Sequence, residues 1–157
     1  MKMNGLTDKE LIDELAAASM AGVTIDLIVR GICCLLPGIE GVTDNIRVIS
    51  IVGRLLEHSR IYIFGAGEER RTYIGSADLM TRNTSRRVEI LMPIYDGAIA
   101  ARLYEMTRRM LSDNVKGSRL CSNGMYEHVI TTAEPMDSQM EFYREAYRMT
   151  GSGEAPV

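Results

Sequence analysis

The chain has 157 residues, 46% of them apolar and 25% charged, with a formal net charge of −3 at pH 7. That is the size and make-up of one soluble domain with a substantial core, and no apolar stretch reaches the length of a membrane span. The slight negative charge excludes a global attraction for polyanions such as nucleic acid, so a phosphate-rich partner must be met by a local cluster of basic side chains.

The first element is a helix. Thr7-Asp8-Lys9-Glu10 has the form of a capping box, and apolar residues then recur at Leu11, Ile12, Leu15 and Ala18, which predicts an amphipathic helix ending near Gly22. Residues 23–29 are a β-branched run that leads into Arg30-Gly31, so Arg30 is expected at a strand's C-terminal end, where α/β folds place ligands. A loop at Pro37, Gly38 and Gly41 precedes a second strand at 46–49. Strands at 60–64 and 72–74 flank Gly65-Ala66-Gly67-Glu68-Glu69, which reads as a hairpin turn and lacks the lysine and hydroxyl of a phosphate-binding loop.

Another strand is expected at 88–92. Asp96 then opens a helix whose Ile99, Leu103, Met106 and Met110 recur at core spacing. Short strand signals follow near Leu120 and at 128–131, and a last helix covers 140–149. Residues 1–150 are read as one domain and 151–157 as a flexible tail. Strands alternating with helices predict the α/β class, a mixed sheet covered by helices, or α+β if the antiparallel part dominates.

Cys33, Cys34 and Cys121 have neither disulfide nor zinc spacing, and with no signal-peptide region at the N-terminus they are expected to be reduced, buried thiols of a cytoplasmic protein. Only two histidines are present. His58 precedes a strand within Glu57-His58-Ser59-Arg60, and pairing with the next strand brings it to the same edge as Ser76-Ala77-Asp78. His128 has no basic neighbours and is assigned a structural or surface role. Arg30, Arg54, Arg60, Arg82, Arg86 and Arg87 gather in sequence around that edge, and guanidinium forks match phosphate oxygens. Arg30 and Arg87 are favoured, because each abuts an apolar run where an unpaired cation is costly.

Six ordered blocks carry a family resemblance: Lys2-Met3-Asn4, Ile25-Asp26-Leu27-Ile28-Val29-Arg30-Gly31-Ile32-Cys33, Ser50-Ile51-Val52-Gly53-Arg54, Glu57-His58-Ser59-Arg60-Ile61, Tyr73-Ile74-Gly75-Ser76-Ala77-Asp78 and Arg86-Arg87-Val88-Glu89. Together they resemble successive motifs of polyphosphate kinase, in its second C-terminal domain of phospholipase-D-like fold. The resemblance implies reversible transfer of the terminal phosphoryl group of ATP to polyphosphate through a phosphohistidine on the preceding domain. It implies magnesium held by ligands outside this chain, a homo-oligomeric full-length enzyme in the cytoplasm with peripheral membrane association, and no nucleic-acid partner. By position in the motifs, His58 resembles a catalytic histidine that also contacts ATP, and Arg30, Arg60 and Arg87 resemble substrate-binding cations. Glu89, Ser76 and Asp78 resemble supporting residues, Glu89 orienting a histidine across the domain boundary. No metal ligand is expected in this segment. Against the wider phospholipase D pattern, Arg60 stands where a lysine is usual, Gly65 where an aspartate follows and Asp78 where an asparagine ends the motif.

Three functions are therefore weighed. The first is half of a kinase site, inactive alone. The second is a non-catalytic module that binds polyphosphate or nucleotide. The third is a phospholipase-D-type hydrolase or nuclease completed by dimerisation, which the glycine at position 65 opposes.

Overall fold

The computed structural model describes residues 1–151. In chain order the strands are β1 (Lys2–Met3), β2 (Ile25–Val29), β3 (Ile46–Ile51), β4 (Ile61–Phe64), β5 (Arg71–Gly75), β6 (Leu91–Pro93), β7 (Gly117–Leu120) and β8 (Tyr126–His128). The helices are α1 (Lys9–Met20), α2 (Thr81–Arg86), α3 (Gly97–Leu111) and α4 (Ser138–Met149). The strands form one eight-stranded sheet of order β6-β5-β4-β1-β2-β3-β7-β8. Its centre, β1-β2-β3, is parallel, and the outer strands are added antiparallel.

Alternation in β2 and β3 explains why helices cover both faces. Ile25, Leu27, Val29, Ile46 and Val48 point to one side and pack with Leu15 of α1, Met3 and Leu6. Ile28, Ile49 and Ile51 point to the other and meet Met110 of α3, with Phe142 of α4 packed against them. A strand buried on both faces reads as a near-continuous apolar run, as Ile25–Val29 does apart from Asp26. Leu27 and Val48 are fully buried, each stabilising the fold by roughly 1.5–3 kcal/mol relative to an exposed side chain. This is the α/β class expected from the sequence, a mixed sheet flanked by helices. Among the described residues, no helix is long and apolar enough to cross a membrane.

Several local expectations need correction. The cap of α1 is Asp8, not Thr7: its carboxylate accepts from Leu11 N and from the Thr84 hydroxyl. The strand expected at 88–92 lies at Leu91–Pro93, because pairing with β5 sets its register as Gly75↔Leu91 and Tyr73↔Pro93, and Val88 is left 99% exposed. In α3 Met110 is core as expected, but Ile99 is half exposed. Cys34 is exposed and only partial burial shields Cys33 and Cys121, so the expectation of buried thiols fails. The hairpin holds: β4 and β5 pair antiparallel across a 3-10 turn at Gly67–Glu69. Gly65 there has φ +77°, and a Cβ would lie 3.0 Å from the Glu69 carbonyl oxygen, so the turn itself demands glycine. Gly151 is the last described residue of the expected tail, and 152–157 lie outside the described residues.

Candidate functional site

The carboxyl ends of β1, β2 and β3 share one edge of the sheet. Because β4 runs antiparallel to β1, with Lys2 opposite Ile61, its amino end is at that edge too, and β5 returns there at Gly75. Asn4, Arg30, His58, Arg60, Ser76 and Asp78 are thereby gathered from separate parts of the chain, at the position where open α/β sheets bind ligands.

Their hydrogen bonds form a continuous relay. Asp78, 4% exposed, accepts from Arg60 Nε at 3.2 Å and Nη2 at 2.9 Å in a two-pronged ion pair. The same carboxylate accepts from the Asn4 backbone N at 2.7 Å and Nδ2 at 3.2 Å. Asn4 Oδ1 in turn accepts from Arg30 Nε at 3.1 Å. At the other end Arg60 Nη1 donates to the His58 carbonyl at 2.8 Å and meets His58 Nδ1 at 3.0 Å. Burial would raise the Asp78 carboxyl, but the hydrogen bonds from Arg60 and Asn4 outweigh it and hold the group below the usual carboxylate range.

The Arg60 contact fixes the imidazole's chemistry. A guanidinium only donates, so Nδ1 must accept, and the proton of the neutral ring then sits on Nε2. His58 is exposed, and its Nε2 has no hydrogen-bond partner among the described residues. The two terminal nitrogens of Arg30 have no partner among the described residues, so its fork is open to an anion.

Beneath the edge lies a second set of polar groups. Lys2, 2% exposed, donates to Ser59 Oγ at 2.9 Å and Ser59 O at 3.1 Å and pairs with Glu57 at 3.3 Å. Burial lowers its ammonium below the ordinary lysine range, opposed by Glu57 and reinforced by the positive charges of Arg30 and Arg60. Gln139 of α4 binds Leu55 through both backbone groups at 2.8 Å and Glu57 at 3.2 Å. Glu89 accepts from Ser76 Oγ and from Asn83 Nδ2, and these bonds, Ser76 first, hold its carboxyl below the usual range.

The structure thus brings Arg30, His58, Arg60, Asp78, Ser76 and Glu89 to one region. Arg87 differs from its expected setting: it follows α2, is exposed and abuts no buried strand, so the cost of an unpaired buried cation does not apply, although its charge reaches Glu89. Arg54, Arg82 and Arg86 are likewise exposed. His128 lies on β8, the outermost strand on the opposite side, and is exposed. Asn4, Lys2, Asn83 and Gln139 were not foreseen as site residues. For Lys2 and Asn4 the one available hint was their place in the block Lys2-Met3-Asn4 of the family resemblance. The carboxylates nearest the site, Asp78, Glu57 and Glu89, are all engaged by internal donors, and no group of three or more metal-binding side chains occurs among the described residues. These residues do not fit a magnesium site.

Residues 1–139 match the family model described as polyphosphate kinase C-terminal domain 2. The chain is 53% identical over 148 residues to a polyphosphate kinase of Staphylococcus epidermidis, covering 94% of this chain and 20% of that protein. It is 51% identical over 150 residues to one of Bacillus cereus, covering 95% and 21%. The crystal structure of polyphosphate kinase from Porphyromonas gingivalis is similar with a TM-score of 0.89 and 39% identity, over 96% of this chain and 23% of that one. The chain spans about a fifth of the length of the curated relatives it matches.

Proposed function

We infer the role of this chain from one premise: it belongs to the polyphosphate kinase family, as that family's C-terminal domain 2. Residues 1–150 act as one domain that contributes half of a phosphoryl-transfer site. The reaction moves the terminal phosphoryl group of ATP reversibly onto polyphosphate by way of a phosphohistidine on a preceding domain. The observation that carries this reading is the relay Arg30–Asn4–Asp78–Arg60–His58, which sets an open guanidinium fork and an exposed histidine with a free Nε2 on one sheet edge.

Phosphoryl transfer asks little of the protein beyond positioned positive charge around the equatorial oxygens and a group to manage a proton. Arg30 grips the nucleotide phosphates. Arg60 adds charge while holding Nδ1, and His58 Nε2 gives or takes a proton at the bridging oxygen. Arg87 extends the positive rim. Glu89, fixed by Ser76 and Asn83, orients the ring of a histidine across the domain boundary. Magnesium, when bound, neutralises phosphate charge, and its ligands belong to the rest of the enzyme.

Mixing this chain with the remainder of a polyphosphate kinase and ATP tests the reading. Synthesis should require both parts, and His58→Ala should lower it by roughly 10²–10⁴-fold, the range for a lost general acid or base. A folded His58→Ala variant with less than about a tenfold loss would remove the histidine from the chemistry. The second reading, a non-catalytic anion module, draws on the open Arg30 fork. It requires calorimetric binding of polyphosphate to this chain with no dependence of synthesis on it.

A further inference from the structure

The loop at 52–59 carries His58, and apart from the two bonds of Arg60 to His58 it has little to hold it. It contains no helix or strand, and its apolar side chains Val52, Leu55 and Leu56 are 69%, 48% and 72% exposed, so apolar burial does not fix its path. Two buried polar side chains do. Gln139, 3% exposed at the start of α4, accepts from Leu55 N and donates to Leu55 O, each at 2.8 Å, and donates to Glu57 Oε1 at 3.2 Å. Lys2, 2% exposed on β1, reaches Glu57 Oε2 at 3.3 Å and both acceptors of Ser59. Glu57 is therefore gripped through one oxygen from each side, and His58 is the residue between Glu57 and Ser59.

We propose that Gln139 and Lys2 are positioning residues for His58, clamping its loop from beneath so that the imidazole keeps its place beside Arg60. Neither side chain is accessible enough to meet a substrate, so each acts through the histidine. Gly53 belongs to the same device: a Cβ there would lie 2.5 Å from Gln139 Oε1 and displace the amide. Fully satisfied buried polar groups of this kind fix a unique conformation, and half-satisfied ones release it. The clamp rests on the proposed function only for the identity of the ligand that His58 serves.

With two histidines in the sequence, the imidazole carbon–proton resonances of the full chain give one signal for His58 and one for His128, which serves as an internal control. Gln139→Ala, Lys2→Met and Gly53→Ala should each shift or broaden the His58 signal, leave His128 in place, and weaken ATP binding by calorimetry about tenfold, the order expected when a charge-assisted contact is misplaced. Where Gln139→Ala does not fold, the isosteric Gln139→Glu replaces it. That variant keeps the acceptor for Leu55 N, loses the donors to Leu55 O and Glu57, and should move the His58 signal alike. A His58 signal unchanged in folded Gln139 and Lys2 variants overturns the proposal, and so does failure of both Gln139 variants to fold, which would make the residue merely structural. A His58 signal that moves in a chain showing no ATP binding leaves the clamp standing and removes the nucleotide reading.

Discussion

Replacing Asp78 by alanine offers the sharpest test of the relay. The carboxylate side chain is 5% exposed and its partner Arg60 is 13% exposed, so deletion leaves a cation nearly out of water with two of its donors unanswered. Removing one member of such a pair costs about 3–5 kcal/mol, and the orphaned Asn4 backbone N–H costs about 1–3 more. The remaining bond from Arg60 to the His58 carbonyl and the partial exposure of Arg60 offset part of this, so a loss of about 4 kcal/mol is expected. For a chain of this length, that corresponds to roughly 8–16 °C in Tm. Asp78→Asn keeps the shape and one acceptor and should lose about half as much. Urea and thermal unfolding followed by circular dichroism measure both, and Arg60→Met should be far less harmful in the Asp78→Ala background than alone. A loss under about 1 kcal/mol for Asp78→Ala, or strict additivity with Arg60→Met, refutes a buried, coupled pair.

Acid should expose the same group. Since the folded Asp78 carboxyl lies below its unfolded value, its contribution is fully present above about pH 4–5 and is lost as pH falls through the folded value; the acid limb of a stability–pH curve should therefore be shallower in Asp78→Asn. Asp113, 1% exposed, accepts from the backbone N–H groups of Val115, Lys116, Gly117 and Ser138 and from the Ser138 hydroxyl, so Asp113→Ala should cost about 3 kcal/mol or more in urea unfolding. Gly117→Ala should be comparably harmful, because a Cβ would sit 2.2 Å from the Asp113 carbonyl oxygen. Under limiting maleimide, peptide mapping should find Cys34 labelled before Cys33, whose thiol is pushed up by burial and donates to the Leu35 carbonyl.

What the sequence disclosed was local. Ile25–Val29 reads as a strand because burial on both faces writes an apolar run, residues 46–49 because apolar side chains alternate with Arg47, and the β4–β5 hairpin reads because its glycines answer to the turn. From that hairpin alone His58, Arg60, Ser76 and Asp78 could be placed at one edge. What stayed hidden depends on distant parts of the chain. Lys2 meets Ser59, Asn4 meets Asp78 and Gln139 meets Leu55 only after the sheet has closed, and no periodicity encodes such contacts. Strand β1 has two residues and begins with a lysine, and α2 is a six-residue polar helix, so neither could announce itself. Only the setting of Arg87 differs from expectation, because its apolar neighbour in sequence, Val88, is exposed and not buried.

The two-residue strand β1 has a mechanical consequence. It is the seam between two half-sheets, β2-β3-β7-β8 on one side and β4-β5-β6 on the other, joined to the first by parallel and to the second by antiparallel pairing. Arg30 rides on one half and His58, Arg60 and Asp78 on the other, with Asn4 stitching them immediately beyond the seam. The gap between the guanidinium and the imidazole is thus gauged by the width of a single strand, and any yielding of Lys2–Met3 would be felt at once as a change of that spacing.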